Sequence, residues 1–301
     1  MEAGSEKTSR VTLRVGRQDL IFGEERVVGA GNWSNTGRSF DAVKVTGYLA
    51  KGVQVLAFAS SLVPIRTEIF DRLHTGDNFH GIAGDIKKRV PHADFEPYLF
   101  WRVGGSRHNM KTYGSRVLGA FGPTAYNVEM VGQQGVRAGT RLSGAAVYIR
   151  TSTPVGKTRW SPTMKTEYNY ASPRFEPIYP TPHDKYGLAD QVGWHNIHHA
   201  GLVAEWKPFK NWTWQLKQHA WWLVDPAGSL LAANMSFVAR DSAGKSGRYV
   251  GREVDLLAQW AFRKNLQFAG GYAHITPGVF LQRRTPGASH NFAYFMTTYS
   301  F

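Results

Sequence analysis

The sequence predicts an all-β protein, a transmembrane antiparallel β-barrel of about 14 strands, because apolar and polar residues alternate over many short segments. The clearest segment closes the chain, where Ala293, Phe295, Thr297, Tyr299 and Phe301 share one face of a strand. No apolar run approaches the roughly 18 residues that a membrane-spanning helix requires. A soluble β-protein also alternates with a period of two residues, so the assignment depends on the connections as well.

Composition agrees with a barrel. The chain has 301 residues, of which 42% are hydrophobic and 13% aromatic, and its mean hydropathy is -0.35. In a barrel only alternate residues face lipid, so the mean hydropathy stays low although every strand crosses the membrane. Ten Trp, thirteen Tyr and seventeen Phe suffice for two interfacial aromatic belts. The absence of cysteine excludes disulfides, thiolate metal sites and a Cys nucleophile.

The N-terminal residues Met1–Arg10 are charged and polar, without the apolar segment that a secretory signal contains. We expect a single barrel domain over residues 1–301 that lacks its signal peptide and some N-terminal strands. The alternation places strands near residues 10–20, 39–49, 52–61, 78–88, 93–104, 115–123, 125–135, 141–153, 158–172, 193–206, 211–224, 251–262, 265–275 and 290–301.

The predicted connections between strands are of two kinds, tight turns and long loops, which alternate along the chain. Tight turns on one side and long loops on the other are typical of outer-membrane barrels, where the short turns are periplasmic. A soluble sandwich needs no such regular pairing. The short connection 137–140 falls on the side of the long loops. The tight connections are 50–52, 88–92, 122–124, 154–156, 207–210 and 263–264, and the long ones are 21–38, 62–77, 105–114, 173–192, 225–250 and 276–289.

Alternation also assigns the two faces of each strand. Val254 and Leu256 fall on one face of the strand at 251–262, opposite Glu253 and Asp255. The first pair is expected to meet lipid and the second to meet the lumen. The same separation sets Trp212, Trp214 and Leu216 against Gln215, Lys217 and His219, and Leu99 and Trp101 against Glu96, Tyr98 and Arg102.

The charge balance favours an anionic partner. Lys and Arg number 36 against 22 Asp and Glu, a formal net charge of +14 with a pI near 10.0. Rings of Arg and Lys inside a pore select anions, whereas solvated faces or contacts with lipopolysaccharide phosphates are the plainer explanation. No basic cluster or motif typical of nucleic-acid binding is present, so we expect no nucleic-acid partner. The inward basic candidates are Arg14, Lys44, Arg102, Arg116, Arg150, Lys165 and Lys217, and the inward acidic ones are Glu96, Glu167, Glu253 and Asp255.

A series of sequence blocks in this chain resembles the alginate-export family of outer-membrane porins. The resemblance covers nearly the whole chain, and the blocks occur in order. They are Leu13–Gln18, Asn32–Val43, Glu167–Ser172, Tyr179–Thr181, Lys185–Asp190, Gly251–Leu256, Gly271–His274, Pro277–Leu281 and Thr285–Gly287.

The resemblance implies a monomeric barrel whose arginine-rich constriction conducts a polyanionic uronate polymer outward. Among the family's basic pore residues it carries over Arg17 and Arg38, because both lie in matching blocks. Glu167, Glu253 and Asp255 also lie in matching blocks, where they either balance these arginines across the lumen or serve structure alone.

Two other chemistries find little support. His195 and His199 share a strand face but lie about 13 Å apart, too far to share a metal ion. A barrel hydrolase uses Ser, His and an acid, yet Ser143, His219 and Asp255 belong to strands that nothing in the sequence brings together. We therefore expect no enzyme activity, no metal and no cofactor.

The resulting hypothesis is a channel of the bacterial outer membrane that passes an anionic polysaccharide, such as an alginate-like polyuronate, through a basic lumen. A general porin for anion or oligosaccharide uptake is the alternative, and an outer-membrane enzyme is less favoured. The expected partners are the anionic polysaccharide or oligosaccharide, outer-membrane lipid and lipopolysaccharide, and the barrel-assembly machinery.

Overall fold

The computed structural model describes residues 2–3, 10–33, 36–65, 76–104 and 108–301. Its main sheet is antiparallel and keeps its strands in chain order, as the alternation predicts. The first nine strands are β1 (Glu2–Ala3), β2 (Val11–Gln18), β3 (Phe40–Ala50), β4 (Val53–Leu62), β5 (Asp77–Val90), β6 (Ala93–Gly104), β7 (His108–Phe121), β8 (Thr124–Arg137) and β9 (Thr140–Pro154).

Six further strands continue this sheet, and the long loops contain a separate hairpin and one short helix. The hairpin consists of β13 (Ser229–Leu231) and β14 (Phe237–Arg240), and the helix is α1 (Val279–Arg284). The remaining strands are β10 (Thr163–Ala171), β11 (Ile197–Trp206), β12 (Trp212–Leu223), β15 (Tyr249–Arg263), β16 (Leu266–Pro277) and β17 (His290–Tyr299). Among the described residues, no helix has the length and apolar character needed to cross a membrane.

The fourteen predicted strands are all found, with shifts at some ends. β7 begins at His108, although residues 105–114 were predicted to be a loop, and β10 begins at Thr163 and not near 158. The connection between β9 and β10 is therefore longer than the predicted turn at 154–156. The short connection after β8 is a two-residue turn in which Ala138 and Gly139 both have positive φ, 49° and 83°, as tight hairpins require. Most of the predicted loop 62–77 lies outside the described residues.

The chain divides into two compact units. Unit 1 comprises residues 1–119, 128–146 and 174–181, and unit 2 comprises residues 120–127, 147–173 and 182–301. The prediction of a single domain stays a prediction.

Several strands of the main sheet, among them β12 and β15, have a buried face and an exposed face that is largely apolar. In β15, Val254 and Leu256 are exposed, whereas Glu253 and Asp255 are fully buried. In β12, Leu216 is exposed, whereas Lys217 and His219 are buried. This arrangement reverses that of a soluble sheet, because its apolar side chains face outward and its charges face inward.

In unit 1 two loop segments, residues 19–33 and 175–181, lie on the buried face and are called here the unit 1 insert. Phe58, Phe79 and Phe100 come from three successive strands, and their neighbouring ring centroids are 5.0 and 5.6 Å apart. Phe22 of the insert packs 4.7 Å from Phe100. Tyr179 of the insert packs 5.1 Å from Phe79. The burial of these rings holds the insert against β4 to β6.

In unit 2 the segment 182–196, called here the unit 2 insert, lies on the buried face of its own strands. Leu188 packs against Leu257, Ala273 and Ile275, all of them buried. Trp221 of β12 donates its indole N–H to the carbonyl oxygen of Tyr186 at 2.8 Å. Apolar contacts and hydrogen bonds therefore both fix this insert.

Candidate functional site

The candidate site is the charged part of the buried face together with the inserts. In unit 1 the site centres on Arg38, which lies just before β3. One guanidinium nitrogen of Arg38 donates to the carbonyl oxygens of Tyr179 at 2.6 Å, Gly29 at 2.8 Å and Pro180 at 3.1 Å. Three neutral acceptors orient this cation without neutralising its charge.

The guanidinium groups of Arg38 and Arg102 both lie over the ring of Tyr179. The guanidinium carbon of Arg102 is 4.6 Å from the ring centroid, and the guanidinium carbon of Arg38 is 5.4 Å from it. Arg102 also forms a bidentate ion pair with Asp77, with N–O distances of 2.6 and 2.9 Å. The Tyr179 hydroxyl donates to Asp77 at 2.9 Å. Two cations and one carboxylate therefore surround one tyrosine of the unit 1 insert.

Burial shifts the titration of the groups at this tyrosine. It lowers the pKa of Arg38 below its ordinary value, and the nearby positive charge of Arg102 lowers it further. Burial also raises the pKa of Tyr179 well above its ordinary value. The phenol accordingly stays neutral, so it neutralises neither arginine.

Further along this face of unit 1, Arg116 contacts carboxylates, whereas Arg14 lies beside another base. Arg116 of β7 contacts Glu96 of β6 at 2.7 Å and lies 3.9 Å from Glu24 of the unit 1 insert. Arg14 of β2 lies opposite Lys44 of β3 in the register, and Glu2 of β1 lies opposite Arg14 on its other side. Arg14 and Lys44 share a strand face with buried Ala42 and Thr46, and their role in lining a pore stays a prediction.

Arg17 lies elsewhere. It shares the exposed face of β2 with Leu13 and Val15, and its side chain pairs with that of Asp41 at 3.0 Å. Arg17 and Leu13 are separated by four residues, so the period of the strand places them on one face. The alternation of β2 already indicates this exposed position. The assignment of Arg17 as a pore residue follows instead from its place in the family block Leu13–Gln18.

In unit 2 carboxylates hold the insert. Asp255 accepts the backbone N–H of Leu188 at 3.2 Å, and Glu253 accepts that of Ala189 at 3.0 Å. Both side chains are fully buried. A side chain at Gly187, whose φ is +134°, would meet the Glu253 carboxylate at 2.9 to 3.0 Å. These acids therefore serve a backbone segment.

A chain of polar side chains leads from Asp255 across four strands of unit 2. His219 Nε2 lies 3.3 Å from Asp255, and its Nδ1 lies 2.8 Å from His199 Nε2. Asn169 bonds both His199 at 2.7 Å and Glu167 at 2.8 Å. Alternation does not predict the contact between His219 and Asp255, because this contact depends on the pairing of β12 with β15.

The remaining inward bases of unit 2 have local partners. Lys165 pairs with Glu205 at 2.7 Å, and Lys217 pairs with Asp184 of the unit 2 insert at 2.5 Å. The guanidinium carbon of Arg150 lies 5.8 Å from the centroid of the Tyr148 ring. Sequence reasoning identified these bases but missed their acids, because diagonal strand neighbours and loop contacts follow from register and not from composition.

No group of three metal-ligating side chains occurs within the described ranges. In each unit, taken by itself, the insert lies on the charged face of that unit's own strands.

Comparisons with known proteins agree with this architecture. The model of the Alginate export family matches residues 2–295. The structure is similar to those of Pseudomonas aeruginosa OccK5 (TM-score 0.62, 11% identity, 98% of this chain and 79% of that one), Acinetobacter baumannii OccAB1 (0.66, 13%, 97% and 74%) and Pseudomonas aeruginosa OccD3 (0.64, 14%, 97% and 74%). All three are outer-membrane porins. No curated protein sequence matches the chain.

Proposed function

This chain belongs to the alginate export family and is an outer-membrane β-barrel channel, and we propose that it passes anionic polysaccharide, of which an alginate-like polyuronate is the type. The observation that carries the proposal is the pair of guanidinium groups, of Arg38 and Arg102, against Tyr179. Among the described residues, Asp77 is the carboxylate hydrogen-bonded to this group, and Glu25 and Glu176 act on the two arginines without a hydrogen bond to them. We propose that a passing carboxylate binds the two guanidinium groups there.

The proposed mechanism is electrostatic. Positive groups on the wall offset the cost of bringing polymer carboxylates into the channel, and several weak contacts keep the chain moving. We expect Arg14, Lys44 and Arg116 to extend the basic wall of unit 1, and Arg150 to contribute to that of unit 2, because all four lie on polar strand faces. The net charge of +14 gives the same preference at longer range. No covalent step is involved, in keeping with a family and fold that belong to channels.

A general porin for anions or oligosaccharides is the second candidate, and the ion pairs favour it. Arg116, Lys165 and Lys217 each contact a carboxylate. A wall of paired charges offers donors and acceptors to sugar hydroxyls without strong preference for charge. The two candidates therefore differ in how much the charge of the polymer matters.

Block of single-channel current in planar bilayers distinguishes the candidates. The channel is exposed to oligomers of polyuronate and to neutral dextran of matched length. The proposal expects half-block by polyuronate at about tenfold lower concentration, the difference that one or two net charge contacts give. Equal block by both polymers would overturn the polyuronate proposal and favour the oligosaccharide porin.

A further inference from the structure

An open depression of about 460 Å³ lies at one end of three neighbouring strands of unit 1. It occupies the ends of β7, β8 and β9 that face the long-loop side, where β7 begins, β8 ends and β9 begins. The residues that line it are Asn109, Lys111, Gln134, Gly135, Val136, Arg141, Leu142, Ser143 and Arg174.

The depression lies on the exposed side of the sheet. Asn109 and Lys111 of β7 are exposed and alternate with buried Met110 and Thr112. Arg141 and Ser143 of β9 are likewise exposed, on the face opposite to that of buried Ala146. Arg174 is exposed, and the chain turns onto the buried face only at Phe175, which is fully buried. The depression therefore opens on the face that carries the exposed apolar side chains of the strands.

The charges of the depression all have one sign. Lys111, Arg141 and Arg174 are basic, and none of the lining residues, which all belong to the described ranges, is acidic. Arg141 and Arg174 form no ion pair with any described residue. On the polar face, by contrast, Arg102, Arg116, Lys165 and Lys217 each contact a carboxylate.

Arg174 is held in place by its neighbours along the chain. A side chain at Gly144 would lie 2.6 Å from the backbone of Phe175, so the segment after Arg174 lies directly on β9. Gln133 fixes the next residue, Glu176, by donating to its carbonyl oxygen at 2.8 Å and accepting its N–H at 3.0 Å. The three bases are thus presented from fixed backbone.

An aromatic residue borders the site. The ammonium of Lys111 lies 5.9 Å from the centroid of the Trp101 ring, and the Trp101 indole donates to Asn109 at 2.8 Å. Trp101 and Tyr113 are exposed on the same face. Tryptophan and tyrosine at such positions mark the level where the hydrocarbon of a membrane meets its head groups.

We infer that this depression binds the phosphate groups of lipopolysaccharide in the outer leaflet. In an outer-membrane barrel the long-loop end is extracellular, so the three bases lie at the level of the outer head groups, on the lipid side of the wall. Two guanidinium groups and one ammonium suit phosphate monoesters, which accept several charge-assisted hydrogen bonds. The inference does not rest on the transported substrate, because the site lies on the opposite face from the proposed pore wall.

The test uses the full chain in detergent and measures its binding of phosphorylated lipid A by native mass spectrometry. The variant K111Q/R141Q/R174Q removes the three charges, and K51Q/K210Q/K264Q removes three exposed charges at tight turns. We expect about a hundredfold weaker binding of lipid A by the first variant and unchanged binding by the second. The variant K111R/R141K/R174K keeps the charges and should retain most of the binding. Heat-modifiable mobility on gels confirms that each variant is folded.

Three ligands identify the source of the phosphate. Dephosphorylated lipid A should bind as weakly to the wild type as lipid A binds to K111Q/R141Q/R174Q, and phosphatidylglycerol should bind less well than lipid A. Equal binding of dephosphorylated lipid A or of phosphatidylglycerol would overturn the inference. Competition by inorganic phosphate at the same concentration as lipid A would also overturn it, because the ligand would then be soluble phosphate.

Discussion

Unit 1 and unit 2 hold their inserts with charges of opposite sign. In unit 1 the Arg38 cation donates to three carbonyl oxygens of the unit 1 insert, whereas in unit 2 Asp255 and Glu253 accept N–H groups of the unit 2 insert. Either charge satisfies backbone groups that would otherwise be buried unpaired. The difference shows that a charged side chain on the buried face of a strand can hold an insert in place, and does not have to bind a passing ion.

The charged residues of the proposed pore wall therefore have different roles in the two units. The anchors of unit 2 are fully buried carboxylates, and its basic residues Lys165 and Lys217 are paired with acids. Unit 1 places two guanidinium groups on one tyrosine. We therefore assign the anion preference of the channel chiefly to unit 1, and the changes below test that division.

The largest effect is expected from the unit 2 anchor. Asp255→Ala leaves the N–H of Leu188 without its acceptor and removes the carboxylate that lies 3.3 Å from His219 Nε2. The expected cost is about 3 kcal/mol in the free energy of unfolding. Asp255→Asn keeps an acceptor oxygen and should cost less. Urea unfolding in lipid vesicles, followed by tryptophan fluorescence, measures both. If Asp255→Ala were as stable as the wild type, repulsion from the neighbouring carboxylate of Glu253 would outweigh the anchoring.

A second change tests the contact between β9 and the unit 1 insert. Gly144→Val places a side chain where the backbone of Phe175 lies at 2.6 Å, so the segment 175–181 must move and stability should fall by about 2 kcal/mol. Gly270→Ala is the matched control, because the nearest atom to its new side chain is the Tyr294 carbonyl oxygen at 3.6 Å. Single-channel conductance should change for Gly144→Val and stay constant for Gly270→Ala. Unchanged conductance in both would show that the segment does not narrow the channel.

A third change concerns pH and the loop between β12 and β15. Hydrogen bonds from Arg284 and Ser246 lower the pKa of Asp241 well below its ordinary value of about 3.9. A lowered pKa contributes stability that is present above the ordinary value and lost as the pH falls through the folded-state value. The wild-type loop should therefore resist pepsin from pH 5 down to about pH 3, whereas Asp241→Asn should be cleaved throughout. Loss of wild-type resistance near pH 4 would contradict this.

The smallest effect is expected from Arg17→Gln. Arg17 lies on the exposed face, and its pair with Asp41 is partly open to its surroundings, so the loss should be at most about 0.5 kcal/mol. Ion selectivity should remain that of the wild type. A clear fall in anion preference, measured as a reversal potential, would place Arg17 in the ion path.

Sequence reasoning located the fourteen strands because alternation is a local property that survives in every strand. It missed the first residues of β7. There, exposed Asn109 and Lys111 alternate with buried Met110 and Thr112, the opposite of the pattern of exposed apolar and buried polar residues in β12 and β15. It also missed the hairpin β13–β14 and helix α1, which are too short to show a period.

The sequence indicates the strand face of the basic residues but not their partners, and their role in lining a pore stays a prediction. Face assignment placed Arg102, Lys165 and Lys217 inward. The acids that pair with them, Asp77, Glu205 and Asp184, come from a neighbouring strand end, a diagonal position and an insert. Such contacts depend on strand register and on how the loops fold back, which composition and periodicity do not specify.

The most direct test of the central claim uses the ion pair beside Tyr179. Reversal potentials are measured in planar bilayers under a salt gradient for the wild type, Arg102→Gln and Asp77→Asn. Both substitutions break the same ion pair, so a purely structural disturbance should shift selectivity in the same direction in both. If unit 1 sets the anion preference, the wild type is anion-selective, Arg102→Gln lowers that preference and Asp77→Asn raises it. Shifts of the same sign, no shift, or a cation-selective wild type would contradict the account.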